Sequence, residues 1–150
     1  ARNLDIVPLL ELGLKEAEVF FQGIPAQKER YAYAEQKWTI REILLHLIDT
    51  ERIFCYRALR IARNDKTNLP GFDENDFARY GKANKRTLQE LLEEFKTVRH
   101  ATLSLFRSFD AEDWTKSGMA SNSEITVRAI GFILAGHVIH HERIIKERYL

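Results

Sequence analysis

Residues 38–51 read WTIREILLHLIDTE, and this stretch opens with the signals of a helix N-terminus. Thr39 followed by Glu42 forms a capping box, in which each side chain accepts a hydrogen bond from the backbone N–H of the other residue. Trp38 stands just before the cap, where it serves as a hydrophobic staple. Because apolar residues then recur at helical spacing, the stretch predicts an amphipathic helix that ends near Arg63.

Three more amphipathic stretches predict helices elsewhere in the chain. They cover about residues 4–21 and 87–106, and run from residue 126 almost to the C-terminus. Residues 64–84 carry proline and glycine, but their apolar side chains predict a loop packed onto the body of the protein. No alternation typical of a strand competes with the helical pattern. The sequence therefore predicts one all-α domain over residues 1–150, a four-helix bundle with long crossover loops.

Composition excludes several classes of function. The chain has 23 Lys and Arg against 22 Asp and Glu, mixed along its length, so it lacks the basic stripe that nucleic-acid binding needs. No apolar run approaches the roughly 20 residues of a membrane span. A single cysteine, Cys55, excludes an internal disulfide framework, which is typical of a reducing compartment and predicts a cytoplasmic protein.

Three of the five histidines lie in residues 136–143, which read GHVIHHER. His137 and His141 are four residues apart, the spacing by which one helix offers two imidazoles to a transition metal. Both fall inside the apolar arc of the last helix, and His140 lies at its edge. A histidine in such an arc is commonly a core residue with a satisfied hydrogen bond. Two histidines on a face that has no other polar residue favour a pair of metal ligands, because a buried polar group without a partner is costly.

A third ligand must come from another segment, and His46 is the candidate. It lies at the margin of the buried face of the second helix, so it is free to face the core or a groove. Glu51 lies on the buried side of the same helix, where a carboxylate needs a partner: a histidine, an arginine or a metal. Cys55 lies nine residues, or about two and a half turns, after His46 and is predicted to be a small buried thiol. His100 falls on the polar face of the third helix and is predicted to be solvated.

Two glycines interrupt the last helix. Gly131 and Gly136 each weaken it by about 1 kcal/mol relative to alanine. We expect the compensating gain to be the close approach of a neighbouring side chain or of a ligand.

Three segments resemble a known family. Residues 38–51 resemble the first signature of the DinB-like superfamily, also called the YfiT-like metal-dependent hydrolases. Residues 69–74, LPGFDE, are similar to the loop after the second helix in that family, and residues 136–141 resemble its C-terminal histidine motif. The similarity extends over most of the chain, from about Leu4 to Arg148.

The resemblance implies an up-down-down-up four-helix bundle, commonly a homodimer, with a divalent metal held by three histidines. On this sequence the ligands are His46, His137 and His141, and His140 is a neighbour of the ligands or, as a second option, a replacement for one. Three neutral imidazoles suit zinc, nickel or iron and leave positions for water or substrate. Characterised relatives include thiol-transferases that use low-molecular-weight thiols such as bacillithiol, and a mycothiol-dependent isomerase.

Two functions follow from these features. The first is a metal-dependent hydrolase or thiol-transferase for a small molecule, in which the metal activates water or a small thiol. In that enzyme Glu51 is the candidate general base or the partner that orients an imidazole. The second is a non-catalytic, stress-related helical dimer whose metal is structural or incidental.

Overall fold

The computed structural model describes residues 3–150, with side chains from residue 6 onward, and is dominated by four long helices. These are α1 (Asn3–Gln22), α2 (Ile40–Ala62), α4 (Leu88–Arg107) and α6 (Val127–Arg148). The connections hold two short helices, α3 (Glu74–Gly81) and α5 (Ala111–Thr115), and two 3₁₀ turns, Ala26–Lys28 and Ala83–Lys85. Three short strands complete the fold: β1 (Asn68–Leu69), β2 (Ser117–Ala120) and β3 (Ser123–Thr126).

Contacts between the long helices fix their directions. In the contacts between α2 and α4, and in those between α1 and α6, the residue numbers of the two helices increase together. The two helices of each pair are therefore parallel. Between the two pairs the residue numbers advance in opposite directions. The neighbours that show this are Glu51 with Arg99, Cys55 with Thr102, Ile6 with Gly131, Phe20 with Lys146, Glu18 with Lys96, Glu11 with Arg107, His46 with His137, and Trp38 with Tyr149. The predicted up-down-down-up four-helix bundle is confirmed.

Threonine caps set the starts of three long helices. Thr39 and Glu42 form the predicted capping box, with Glu42 N donating to Thr39 Oγ1 at 3.1 Å and Thr39 N donating to Glu42 Oε1 at 2.8 Å. Thr87 and Thr126 cap α4 and α6, each accepting a hydrogen bond from the backbone N–H three residues on. Because these interactions are local, the sequence located all three helix starts to within a residue.

The sheet was not predicted from the sequence. Strand β1 pairs in parallel with β2, and β2 pairs antiparallel with β3 across a turn in which Ser121 and Asn122 have φ of 51° and 67°. The expectation of no strand is wrong at these positions, since strands of two to four residues are too short to show alternation. The predicted 64–84 loop likewise contains β1 and α3, the latter capped by Asp73. The sheet is a minor addition to an all-α fold.

The two glycines of α6 behave differently. A Cβ added at Gly131 would lie 2.7 Å from Ile6 Cγ2 and 3.4 Å from Phe106 Cε1, so the expected close approach of a neighbour is confirmed there. At Gly136 no heavy atom of a neighbouring described residue lies within 4 Å of an added Cβ. The expected approach of a neighbour is therefore wrong there for the described residues, and approach of a ligand stays a prediction. None of the helices within residues 3–150 combines the length and apolar character that crossing a bilayer requires.

Alanine substitutions at the two glycines are therefore expected to have opposite effects. Gly131→Ala forces a methyl group against the branched side chain of Ile6, and we expect it to lower the free energy of unfolding by about 1–3 kcal/mol. Gly136→Ala gains helix propensity without a clash and is expected to raise it by up to about 1 kcal/mol. Urea unfolding of both metal-free variants checks this, and the reverse order of stabilities would contradict the packing at Gly131.

Candidate metal centre

Three imidazoles converge where α2 packs against α6. His46 comes from α2, and His137 and His141 come from successive turns of α6. The Nε2 atom of His137 lies 3.1 Å from that of His46 and 3.1 Å from that of His141. Since one ring nitrogen from each residue lies within 4.8 Å of the others, the three histidines singled out in the sequence form one cluster.

Two neighbours hold the ring of His46. The centre of the Trp38 indole lies 4.7 Å from the centre of the imidazole, and the Thr50 hydroxyl oxygen lies 3.4 Å from Nδ1. A partner at Nδ1 leaves Nε2 to face the cluster. Neither contact was predicted from the sequence. The signal for Thr50 is its position four residues after His46, which places both side chains on one helix face.

The donor set of the cluster fits a divalent metal ion. Burial, and secondarily the neighbouring imidazoles, lower the pKa of His46, His137 and His141 to about 4 each. All three are therefore neutral at pH 7, which is the form that binds a metal. By hydrogen bonding alone, Nε2 of His137 can donate its single proton to only one of its two neighbours. A tetrahedral ion about 2.0–2.1 Å from each nitrogen would separate the nitrogens by roughly 3.3 Å. The two Nε2 distances from His137, both 3.1 Å, are close to this value.

The other two histidines lie outside the cluster. His140 is exposed, and its ring centre lies 5.1 Å from that of His141, beside the cluster rather than in it. His100 is exposed on α4, as predicted. Both are suitable controls for substitutions of the three clustered residues.

Glu51 forms a buried ion pair with Arg99 of α4. Arg99 Nε donates to Oε2 at 2.8 Å and Nη2 donates to Oε1 at 2.7 Å, while the Thr102 hydroxyl donates to Oε2 at 2.7 Å. Arg99 also donates from Nη1 to the carbonyl oxygen of Leu10 at 2.9 Å, which links α1 to the pair. Glu51 and Arg99 are 2% and 0% exposed. Of the three partners expected for Glu51, the arginine is the one observed.

The catalytic role of Glu51 stays a prediction. Its carboxylate has no hydrogen bond to a clustered histidine among the described contacts, because its oxygens are engaged by Arg99 and Thr102. Arg99 itself was missed in the sequence, although it stands four residues after Phe95 in the apolar stripe of α4. A charged residue within such a stripe is the signal that a buried counter-charge exists.

Cys55 is half-buried and separate from the histidine cluster. Its sulfur lies 3.2 Å from the Thr102 hydroxyl oxygen, and burial raises the pKa of the thiol to about 12. Because only the thiolate is nucleophilic, we expect labelling of the native protein with a disulfide reagent at pH 8 to be roughly a hundredfold slower than labelling of the urea-unfolded chain. A Cys55→Ser variant gives the background, and equal native and unfolded rates would contradict the buried neutral thiol.

A comparison with known families identifies the family of this chain. Residues 9–145 match the sequence model of the DinB superfamily. The chain belongs to the DinB superfamily. No curated protein is significantly similar to it in sequence.

Two solved structures share the fold of this DinB-superfamily protein. YfiT from Bacillus subtilis, described as "a probable metal-dependent hydrolase with an unusual four-helix bundle topology", superposes with a TM-score of 0.84 at 15% identity, covering 97% of this chain and 85% of YfiT. The mycothiol-dependent maleylpyruvate isomerase superposes with a TM-score of 0.79 at 12% identity, covering 95% of this chain and 60% of the isomerase. At these identities the likeness shows the fold alone.

A cleft leads to the histidine cluster of this DinB-superfamily protein. It has a volume of about 260 Å³, and His141 forms part of its wall. Trp38, which packs on His46, lines it as well. His46 is therefore buried, at 5% exposure, whereas His141 borders the cleft.

Proposed function

We propose that this protein is a metal-dependent enzyme in which His46, His137 and His141 bind a divalent ion and a water molecule or a small thiol is the nucleophile. The observation that carries the proposal is the convergence of three neutral imidazole nitrogens in a cluster of which one member, His141, lines a cleft. The fold neighbours support it, since one is described as a probable metal-dependent hydrolase and the other as a mycothiol-dependent isomerase.

A bound ion would supply one chemical effect, because it would lower the pKa of a coordinated water or thiol towards neutrality. The chain's own residues position the ligands and admit the reactant. Trp38 and Thr50 hold the ring of His46, so its Nε2 keeps facing the other two histidines. Three protein ligands would leave at least one position for a reactant, and the cleft lined by His141 is the route we propose for it. We propose zinc, nickel or iron as the ion, because nitrogen ligands suit all three.

For Glu51 we propose a positioning role. The bidentate pair with Arg99 fixes α2 against α4 five residues beyond His46, and this holds His46 at a constant depth. The alternative role, a general base, is tested with the variant Glu51→Gln. If Glu51 is a general base, this variant loses turnover but keeps the stability and the metal content of the wild type.

Turnover assays test the proposed function. The metal-loaded protein is offered small thiols with electrophiles, and separately ester and amide substrates. We expect turnover in one of these sets, and its loss in the His137→Ala/His141→Ala variant. Absence of turnover in every set, together with a metal whose coordination positions are all filled by protein atoms, would favour the second candidate, a non-catalytic helical dimer.

We further propose that the protein is a homodimer, as the family resemblance implies. Leu12 and Val19 lie seven residues apart on one face of α1 and are 51% and 73% exposed, and we propose this face as the interface. Light scattering after gel filtration is expected to give twice the mass of the chain. A monomer mass at every concentration tested would refute the dimer.

A further inference from the structure

The cleft beside His141 carries two cations and, among the described residues that line it, no acid. Lys37 lies in the segment before α2, and Arg148 is the last residue of α6. Neither forms an ion pair with a carboxylate in the described part of the chain. The whole chain has a formal charge of only +1, so two cations without an ion-pair partner in one small cleft form a local concentration of positive charge.

Tyr33 holds both cations around one ring. Its hydroxyl oxygen accepts a hydrogen bond from Arg148 Nη1 at 3.1 Å, and this bond lowers the pKa of Tyr33 below its ordinary value. The guanidinium carbon of Arg148 and Nζ of Lys37 lie 5.5 Å and 5.8 Å from the ring centre. A guanidinium has five N–H donors, so Arg148 keeps donors for a ligand after bonding Tyr33.

We propose that this cleft binds a small organic anion, with Lys37 and Arg148 receiving its carboxylate while its reacting end faces His141. The inference rests on the proposed function, because it names the substrate class of that same site. An arginine fork matches the geometry of a carboxylate, and Lys37, which contacts the same tyrosine ring, adds a second positive charge to the cleft. The volume of about 260 Å³ lies below the range of about 300–1,000 Å³ typical of drug-sized ligands, which limits the occupant to a small molecule.

The carboxylate has two possible sources, the nucleophilic thiol or its co-substrate. Three probes separate them: succinate, which has carboxylates and no thiol; mercaptosuccinate, which has both; and 2-mercaptoethanol, which has a thiol alone. We expect succinate and mercaptosuccinate, but not 2-mercaptoethanol, to bind the metal-free protein. If metal loading tightens the binding of mercaptosuccinate but not that of succinate, the carboxylate belongs to the nucleophilic thiol. If the metal-loaded protein binds the two acids with equal affinity, the carboxylate belongs to the co-substrate.

The variant that tests the site is Lys37→Gln/Arg148→Gln, titrated in metal-free form by NMR or calorimetry. Loss of two charge-assisted contacts is expected to weaken binding of both acids about tenfold. The matched control is Lys85→Gln/Arg143→Gln, which removes the same charge outside the cleft and is expected to bind as the wild type does. All four side chains lie at or near the surface, and circular dichroism verifies that each variant is folded.

Two results would overturn the inference. One is the absence of binding of either acid to the wild-type protein. The other is an equal loss of affinity for the acids in the two double variants, which would show that binding depends on the overall charge of the protein and not on the cleft. Because these titrations use metal-free protein, they succeed or fail independently of the metal assignment, which has its own test in the clustered histidines.

Discussion

Replacing His137 and His141 together by alanine is expected to abolish stoichiometric binding of a divalent ion. One imidazole, on His46, then remains where three nitrogens converge, and a single neutral ligand does not retain a transition metal through dialysis. Elemental analysis after loading with zinc, nickel or iron, followed by dialysis, measures the change. The wild type should retain about one ion per chain, and the double variant close to none.

Controls for this experiment lie in the same chain. His100→Ala and His140→Ala remove exposed imidazoles outside the cluster and are expected to leave the metal content unchanged. His46→Ala removes the ligand that α2 contributes, and it should also weaken metal retention. Full metal content in the His137→Ala/His141→Ala protein would sink the ligand assignment, and with it the proposed chemistry.

Arg99→Met is expected to destabilise the interface between α2 and α4 strongly. It leaves the Glu51 carboxylate buried without its cation, and breaking a buried pair in this way costs about 3–5 kcal/mol. The double variant Glu51→Leu/Arg99→Met removes both charges and should recover most of that loss. Urea unfolding of the wild type, the two single variants and the double variant gives the coupling free energy.

A second ion pair across the same two helices provides the control. Arg52 and Glu94 also join α2 to α4, but the Arg52 side chain is 55% exposed. Exposed pairs contribute at most about 1 kcal/mol, so Arg52→Met should have a small effect. If Arg99→Met costs no more than Arg52→Met, burial does not strengthen the Glu51–Arg99 pair, and the positioning role proposed for Glu51 fails.

How far the sequence predicted this fold depended on the range of each interaction. The helix starts at Thr39, Thr87 and Thr126 were predictable because a cap involves residues three positions apart. The short sheet was not, since β1 and β2 are separated by about fifty residues of chain and each is too short for a pattern. The connection between α2 and α4 was therefore assigned as a loop.

The sequence by itself determined four amphipathic helices and the pairing of His137 with His141, because both follow from the turn of a single helix. Only the tertiary structure decided that His46, 91 residues from His137, completes the cluster, and that Glu51 pairs with Arg99. Helix periodicity placed His46 at the margin of a buried face and left its direction open. The direction in which the His46 side chain points is set by the rotation of α2 against α6 and α4, which depends on how whole helix surfaces pack.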